Sequence, residues 1–427
     1  LTLTSLGDHE VPLFAMLSLE DSPSRHLDRA QAYAKNKYPK IQQALPPRPA
    51  TNFKQLRIGY FSADFHDHPV AQLITRTLEL HDRSKFQVHA YAFDPKKQDD
   101  KNRERVIKAV DQFTDVSELS DEQVAKLARE HSIDIAIDLT GYTRYTRAGI
   151  FAYRAAPIQI NYLGFPGTMG TNFMDYIITD GTLVPDQFKQ YYSEHTLQLP
   201  HTYMPTDNTR PISDKVVTRA NMNLPTQGFV FCAFNNSYKI TPREFDIWMR
   251  LLLKVQGSVL WLRDSNKWSK ENLCKEAKAR GVEPSRLIFA SRIPMDEHLA
   301  RHALADLFLD TFTFNAHSTA ADALWAGLPV ITKPGEGFAA RVASSLLMAI
   351  EMPELVTKSD QAYEALALDL ATNPSRLTQI KTKLQNNRLT TPLFDTEQHV
   401  KYLEKGYTQA YQRYFEGKEP QALCVTP

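Results

Sequence analysis

Cysteine is scarce in this chain of 427 residues. Cys232, Cys274 and Cys424 are too few and too far apart for a disulfide framework or a cysteine-based zinc site. That usage fits a reducing compartment, and a cytoplasmic location is the expectation. No run comes near the roughly 20 apolar residues of a spanning helix, so no membrane insertion is expected. Residues 1–5 show no basic stretch leading into an apolar one, so no signal peptide is expected either. An excess of either charge is also lacking: 50 Lys and Arg against 49 Asp and Glu leave +1, without the basic field that sequence-independent nucleic-acid binding uses. Any anion must therefore be met by local groups. Three short motifs are missing as well. The absence of Asp-x-Asp removes the commonest carboxylate signature for holding a metal on a nucleotide diphosphate. The absence of G-x-G-x-x-G after the first strand and of G-x-x-x-x-G-K-[ST] argues against a nicotinamide dehydrogenase and a P-loop ATPase.

What is present is a globular composition, 42% hydrophobic and 23% charged, in a chain long enough for more than one core. Residues 1–50 read as a helical lead-in, with Leu27, Ala30 and Ala34 on one side of a helix over 26–36, and a proline-rich linker at 45–49. After Lys54, β-rich runs at 56–61, 86–92 and 133–139 alternate with amphipathic segments of helix length, the pattern of parallel βαβ units. The pattern fades around 200–220 and restarts at 229–233, 259–263, 287–290, 307–310 and 330–332. The expectation is an α/β protein of two Rossmann-like doubly wound domains, 51–206 and 207–395, with a C-terminal helix and tail over 396–427. Tyr402, Tyr407 and Tyr411 read as docking contacts of that helix, and the last dozen residues as disordered. Two such halves would turn the loops at their strands' carboxyl ends toward a shared cleft.

Several loops carry polar groups at those ends. After the first strand comes SADFHDHP, where a helix starting at Pro69 would offer backbone N–H groups to an anion, with His68 at the entrance. His68 reads as a hydrogen-bond donor or proton acceptor near neutral pH, or as a helix cap. The run at 133–139 leads into Thr140, Gly141 and Tyr142, and further on GFPGTMG holds Gly164, Pro166 and Gly167. Both loops read as lining for a sugar or phosphate, or simply as turns. In the second half, Lys239 lies between a strand and a helix near Pro242, a place suited to a diphosphate whose charge grows as a sugar bond breaks. A solvated lysine is the alternative. His298 and Arg301, one helical turn apart, offer an imidazole and a guanidinium to a nucleobase. His317, Ser318 and Thr319 gather at a helix N-terminus, with Ser318 or Thr319 as the expected cap and Asp322 following as a ribose acceptor.

Read in order, LRIGYFSADFHDHP, GYTRYTRAGIFAYRAAPIQINYLGFPGTMG, MDYIITD, FNNSYKI, SVLWL, DALWAGLPVITKPGE and TPLFDT resemble the catalytic region of the O-linked N-acetylglucosamine transferases, the SPINDLY-related glycosyltransferases of family 41. The resemblance covers most of the chain after Leu56. It implies a two-domain GT-B fold and inverting transfer of N-acetylglucosamine from UDP-N-acetylglucosamine (UDP-GlcNAc) to Ser or Thr of a protein or peptide acceptor, with no metal or cofactor. By the same resemblance, Lys239 acts on the donor diphosphate, with Asn236 beside it where the animal enzymes carry a glutamine. His298 stacks on the uracil with Arg301 nearby, His317, Ser318 and Thr319 meet the phosphates, and Asp322 meets the ribose. His68 matches a histidine on the acceptor side of the sugar. Met295 stands where the animal enzymes have a lysine near the nucleoside. The short stretch 205–228 lacks their large insertion, as in bacterial members, so a bacterial protein is expected. Tetratricopeptide repeats are expected upstream, and 21–36 resembles the bridge to them. Other readings are the same mechanism with GDP-fucose or UDP-glucose, a non-catalytic nucleotide-sugar-binding scaffold, and a UDP-sugar epimerase.

Overall fold

The apolar runs of the first half form parallel strands because both faces of each are covered, which suits continuous Ile, Val and aromatic stretches. They are β1 (Leu56–Ser62), β2 (Phe86–Ala92), β3 (Gln112–Asp115), β4 (Ile135–Asp138), β5 (Ile158–Asn161), β6 (Tyr176–Asp180) and β7 (His195–Leu199). All four residues of β4 and all five of β6 are buried. β1 is central, with Ile58 opposite Val88 on one side and Ile135 on the other. β3 is absent from the sequence expectation for a physical reason: it is the outer strand and none of its residues is buried, so it carries no apolar run. β5, β6 and β7 are not among the runs read from the sequence; Gln159, Asn161 and Gln198 interrupt the pattern of β5 and β7, while in β6 the apolar run Tyr176–Ile178 gives way to Thr179 and Asp180.

The structure is a computed structural model that describes residues 12–38, 45, 54–94 and 100–427. The residues expected as a proline-rich linker at 45–49 lie, apart from Leu45, outside the described residues, as does 1–5. The chain divides into two compact units, one built on Ser22–Asn208 with Asp395–Pro427, the other on Thr209–Phe394 with the short piece Ser18–Asp21.

The second unit has its own parallel sheet of β8 (Val230–Ala233), β9 (Val259–Arg263), β10 (Leu287–Ala290), β11 (Leu307–Leu309) and β12 (Val330–Ile331), in the order β10-β9-β8-β11-β12. The helices between strands start where the sequence places the signals. Pro69–Leu80 has proline at its first turn and His68 as cap, and Pro242–Lys254 has proline together with a Thr241–Glu244 capping box. Among the described residues no helix is long and apolar enough to cross a membrane.

The C-terminal helix docks as expected, and its tail departs from the expectation of disorder. Helix Thr396–Phe415 buries Thr396, His399, Val400, Leu403, Tyr407, Ala410 and Tyr411, a stripe at helical spacing, against the first unit. Tyr162 Oη meets His399 Nε2 at 3.2 Å, and His81 bridges Tyr60 Oη (2.8 Å) and Glu404 (3.0 Å). Tyr402, unlike Tyr407 and Tyr411, stays half-buried. The last dozen residues are ordered: β13 (Leu423–Cys424) pairs in parallel with β7, completing an eight-stranded sheet, and Val425 is buried behind it. The sequence hid this because two residues suffice to cap a strand edge, with Val425 N–H donating to Gln198 O at 2.9 Å. A chain ending at Pro420 should therefore lose about 2 kcal/mol from the first unit's urea transition, the worth of one buried valine with its ladder bonds.

Candidate functional site

In the second unit, strand order reverses between β8 and β11, so the loops leaving these two neighbours diverge at their carboxyl ends. Asn236 and Lys239 leave from β8, and His317, Ser318, Thr319 and Asp322 from β11. Asn235 spans the divergence, its Nδ2 donating to Thr311 Oγ1 (2.9 Å) and its Oδ1 accepting from Thr319 Oγ1 (2.7 Å). Asp310, wholly buried, shapes the β11 loop. Its Oδ1 accepts from the N–H groups of Thr311 (2.8 Å) and Ala316 (2.5 Å), and its Oδ2 from Thr332 Oγ1 (2.6 Å).

Lys239 ends a 3-10 turn, Ser237–Lys239, and is buried, which rules out the solvated reading. Its Nζ donates to Asn315 O at 2.9 Å and lies 3.9 Å from the centre of the Phe314 ring. Of the three ammonium N–H groups, one meets an oxygen of the described residues. Burial pushes this amine from 10.5 down to about 7, against the opposing pull of Asp310. Burial likewise pushes the Asp310 carboxyl up to about 7. The result is a desolvated amine, poised near neutrality, with donor capacity for an anionic oxygen.

Helix Ser318–Trp325 has His317 as its N-cap residue rather than Ser318 or Thr319, and no side chain caps it. Thr319 Oγ1 is committed to Asn235, and Ala320 and Ala321 N–H donate to His317 O, so among the described residues the backbone N–H groups of Ser318 and Thr319 are the ones open to an acceptor. The His317 ring lies 4.7 Å from Phe314, with Nε2 3.0 Å from Ala339 O, which places its proton on Nε2. Burial and the Lys239 charge keep it neutral, well below the usual histidine range. Asp322 Oδ1 is 2.6 Å from Arg210 Nη1, both side chains being buried.

His298 and Arg301 come from helix Met295–Arg301 after β10 and do not act as a pair. His298 is half-buried between Phe234 (5.3 Å) and His302 (4.8 Å), and burial with nearby cations pushes it down to about 2, leaving a neutral ring suited to stacking. Arg301 is turned into the framework. Its guanidinium lies over Phe234 (4.7 Å) and Trp261 (5.8 Å) and donates to Ser291 O at 2.7 Å. Its guanidinium therefore props the Phe234 ring that His298 also touches.

The first unit repeats the arrangement. Its strand order reverses between β1 and β4, and Ala63 N–H donates across the divergence to Thr140 Oγ1 at 3.0 Å. Asp138 Oδ1 takes the N–H groups of Thr140 and Gly141, both at 2.9 Å. Gly141 has φ +52°, and a Cβ there would strike Phe165. A Cβ on Gly164 would strike the Leu139 carbonyl, so the two loops pack backbone to backbone. Tyr142 Oη donates to Met169 O (2.9 Å), and Asn161 Nδ2 to Gly167 O (3.0 Å). Buried Glu194 holds Thr168 and Met169, each at 2.6 Å. Thr140, Gly141, Tyr142, Pro166 and Gly167 are thus buried and build the wall, while Gly164 is half-buried. His68 is a helix cap and a candidate functional group at once. Nδ1 accepts from Val70 N–H at 3.3 Å, 3.6 Å from Asp64 Oδ1, and the side chain is 40% exposed. In the neutral ring the proton then sits on Nε2.

Sequence reasoning missed Asn235, Asp310, Asn315, Glu194 and Arg210. A signal existed for Asp310, since each half has an aspartate at the end of its switch-point strand with hydroxyl and amide residues following. None existed for Arg210, which stands in a polar stretch without periodicity. Among the described residues, no cluster of three or more His, Cys, Asp or Glu is arranged to hold a metal ion.

Two Rossmann-type parallel units, each with polar loops at its switch point, define the GT-B class of glycosyltransferases. A solved point mutant of the Thermobaculum terrenum O-GlcNAc transferase matches with a TM-score of 0.86 at 28% identity, covering 95% of this chain and 78% of that one. Anabaena HepE, at 13% identity and a TM-score of 0.56 over 83% of this chain and all of its own, shares the fold alone. The glycosyl transferase family 41 model matches residues 26–213 and 205–403, and the chain belongs to that family. Among curated relatives named UDP-N-acetylglucosamine--peptide N-acetylglucosaminyltransferase, the probable SEC protein of Arabidopsis thaliana is 38% identical over 387 residues, 89% of this chain. That of Caenorhabditis elegans is 30% identical over 479 aligned residues, 86% of this chain. The chain spans about two fifths of their length, 40% and 41%.

The buried amine has a stability consequence with a definite sign. Between about 7, its pKa when folded, and 10.5, its ordinary value, Lys239 binds more protons unfolded than folded, so its contribution to stability rises with pH across that window. Lys239→Met should stabilise the second unit at pH 7 and flatten this rise, as urea midpoints at pH 7 and 9.5 would show.

Proposed function

We propose that this chain transfers N-acetylglucosamine from UDP-GlcNAc to Ser and Thr hydroxyls of protein acceptors, with inversion at the anomeric carbon and without a metal ion or cofactor. The observation that carries the reading is Lys239, a buried amine with unfilled donors beside the uncapped start of helix Ser318–Trp325. The acceptor oxygen attacks the anomeric carbon opposite the diphosphate and loses its proton as the new bond forms. The old C–O bond breaks with its electron pair left on UDP, where charge rises. The Lys239 ammonium and the first-turn amides meet that charge in a desolvated site, where such donors are worth most. His298 supplies a neutral ring for the base, Asp322 an acceptor for the ribose, and His68 a group for the acceptor side of the sugar.

Donor and acceptor identity are supported by the names of the relatives, which are longer proteins. The reading carries with it a cytoplasmic location and tetratricopeptide repeats in the full-length protein.

Calorimetric titration with UDP, UDP-GlcNAc, UDP-glucose and GDP-fucose, with EDTA present throughout, tests the donor. UDP and UDP-GlcNAc should bind, and preference for GDP-fucose or binding of nothing would overturn the assignment. At pH 8, UDP binding should take up a proton, because the diphosphate restores the charge of an amine that titrates at about 7, and Lys239→Met should abolish the uptake. In turnover, Lys239→Met should lower kcat by about 10²–10³, the scale of one lost charge-stabilising donor. His298→Ala should mainly raise KM.

A further inference from the structure

Arg210 lies at the start of the second unit, outside every segment that suggested a function. Its Nη1 is 2.6 Å from Asp322 Oδ1, and the two side chains are 8% and 7% exposed. Its carbonyl accepts from Trp325 Nε1 at 3.2 Å, so the residue is tied at both ends to one helix, at Asp322 and one turn later. An arginine placed for strength alone presents two N–H groups to two carboxylate oxygens. Here one N–H meets one oxygen, Nε is buried without a partner, and Asp322 Oδ2 receives no hydrogen bond from the described residues. With Arg210 beside it, one Asp322 oxygen is fixed and the other is left as an acceptor.

We propose that Arg210 is a positioning residue for the nucleotide: it holds the Asp322 carboxylate in one rotamer, with Oδ1 occupied, so that Oδ2 accepts from the ribose hydroxyls. This rests on the nucleotide-sugar reading of the same site. It makes ribose recognition depend on a residue that need not touch the ligand.

The test compares the affinities of UDP and 2′,3′-dideoxy-UDP, in EDTA, for wild type and variants. Wild type should favour UDP by about tenfold to a hundredfold, the worth of hydrogen bonds to a charged acceptor. Arg210→Met should bring the ratio to within about twofold while inorganic pyrophosphate binds as before, and Arg210→Lys should restore most of the ratio. A purely structural arginine would lower Tm and leave the ratio alone. If Arg210→Met does not fold, Arg210→Gln, which keeps a shorter donor away from the carboxylate, replaces it and should also lose the ratio. An unchanged ratio in a folded variant lacking Arg210 overturns the proposal. Failure of wild type to bind UDP at all is a separate result, and overturns the nucleotide reading beneath it.

Discussion

Each unit depends on one buried carboxylate at the carboxyl end of its switch-point strand. Parallel strands leave backbone N–H groups unpaired where a loop turns away, and at the divergence no neighbouring strand can satisfy them. Asp138 takes two such groups and Asp310 takes two more, each keeping an inward loop from collapsing onto the sheet. Burial raises the pKa of both carboxyls, Asp138 to about 6 and Asp310 to about 7, so the same hydrogen bonds that shape the loops are what keep the charge tolerable. From Asp310 the dependence runs outward: the folded loop presents Asn315 O, that carbonyl fixes Lys239, and Phe314 closes over the ammonium.

The geometry at Lys239 makes sense as function obtained at a cost in stability. A lysine with one oxygen partner and a ring is a poor way to hold a fold together, because nothing in contact returns the hydration it gave up. A ligand oxygen would return it. Asp310 acts on the amine from a distance, enough to oppose its loss of charge without occupying the donors a ligand needs. Sites that keep such unmet capacity are usually ones where catalysis and stability pull in opposite directions.

Most of the sheet architecture was legible in the sequence, because strands buried on both faces must be apolar throughout and that pattern survives without a structure. β1, β2, β4 and β8–β12 announce themselves in this way. β3 at the outer edge and the two-residue β13 do not, since neither needs an apolar run to be stable. The site was legible in position but less so in role. Loops after strands could be named, and Lys239, His298 and His317 stand where polar chemistry was expected. Side-chain direction was not legible: Arg301 and Tyr142 carry groups fit for a ligand, yet both are turned into the protein, Arg301 onto Phe234 and Trp261 and Tyr142 onto Met169 O. One helical turn of spacing gives a shared face, but packing decides which of two neighbours looks outward.

The charge balance of the second unit follows from these commitments. Arg210 is neutralised in contact by Asp322, and Arg301 is spent on two aromatic rings and a carbonyl. His298, His302 and His317 are held neutral by burial, so they contribute shape and hydrogen bonds rather than charge. Lys239, with one carbonyl and one ring as its contacts among the described residues, sits where an uncapped helix adds the partial positive charge of its first turn. In a chain of net charge +1, long-range attraction contributes little to holding an anion. An anion brought to this point would be held by the exchange of its hydration for donors already in place, which favours a ligand whose negative charge is compact.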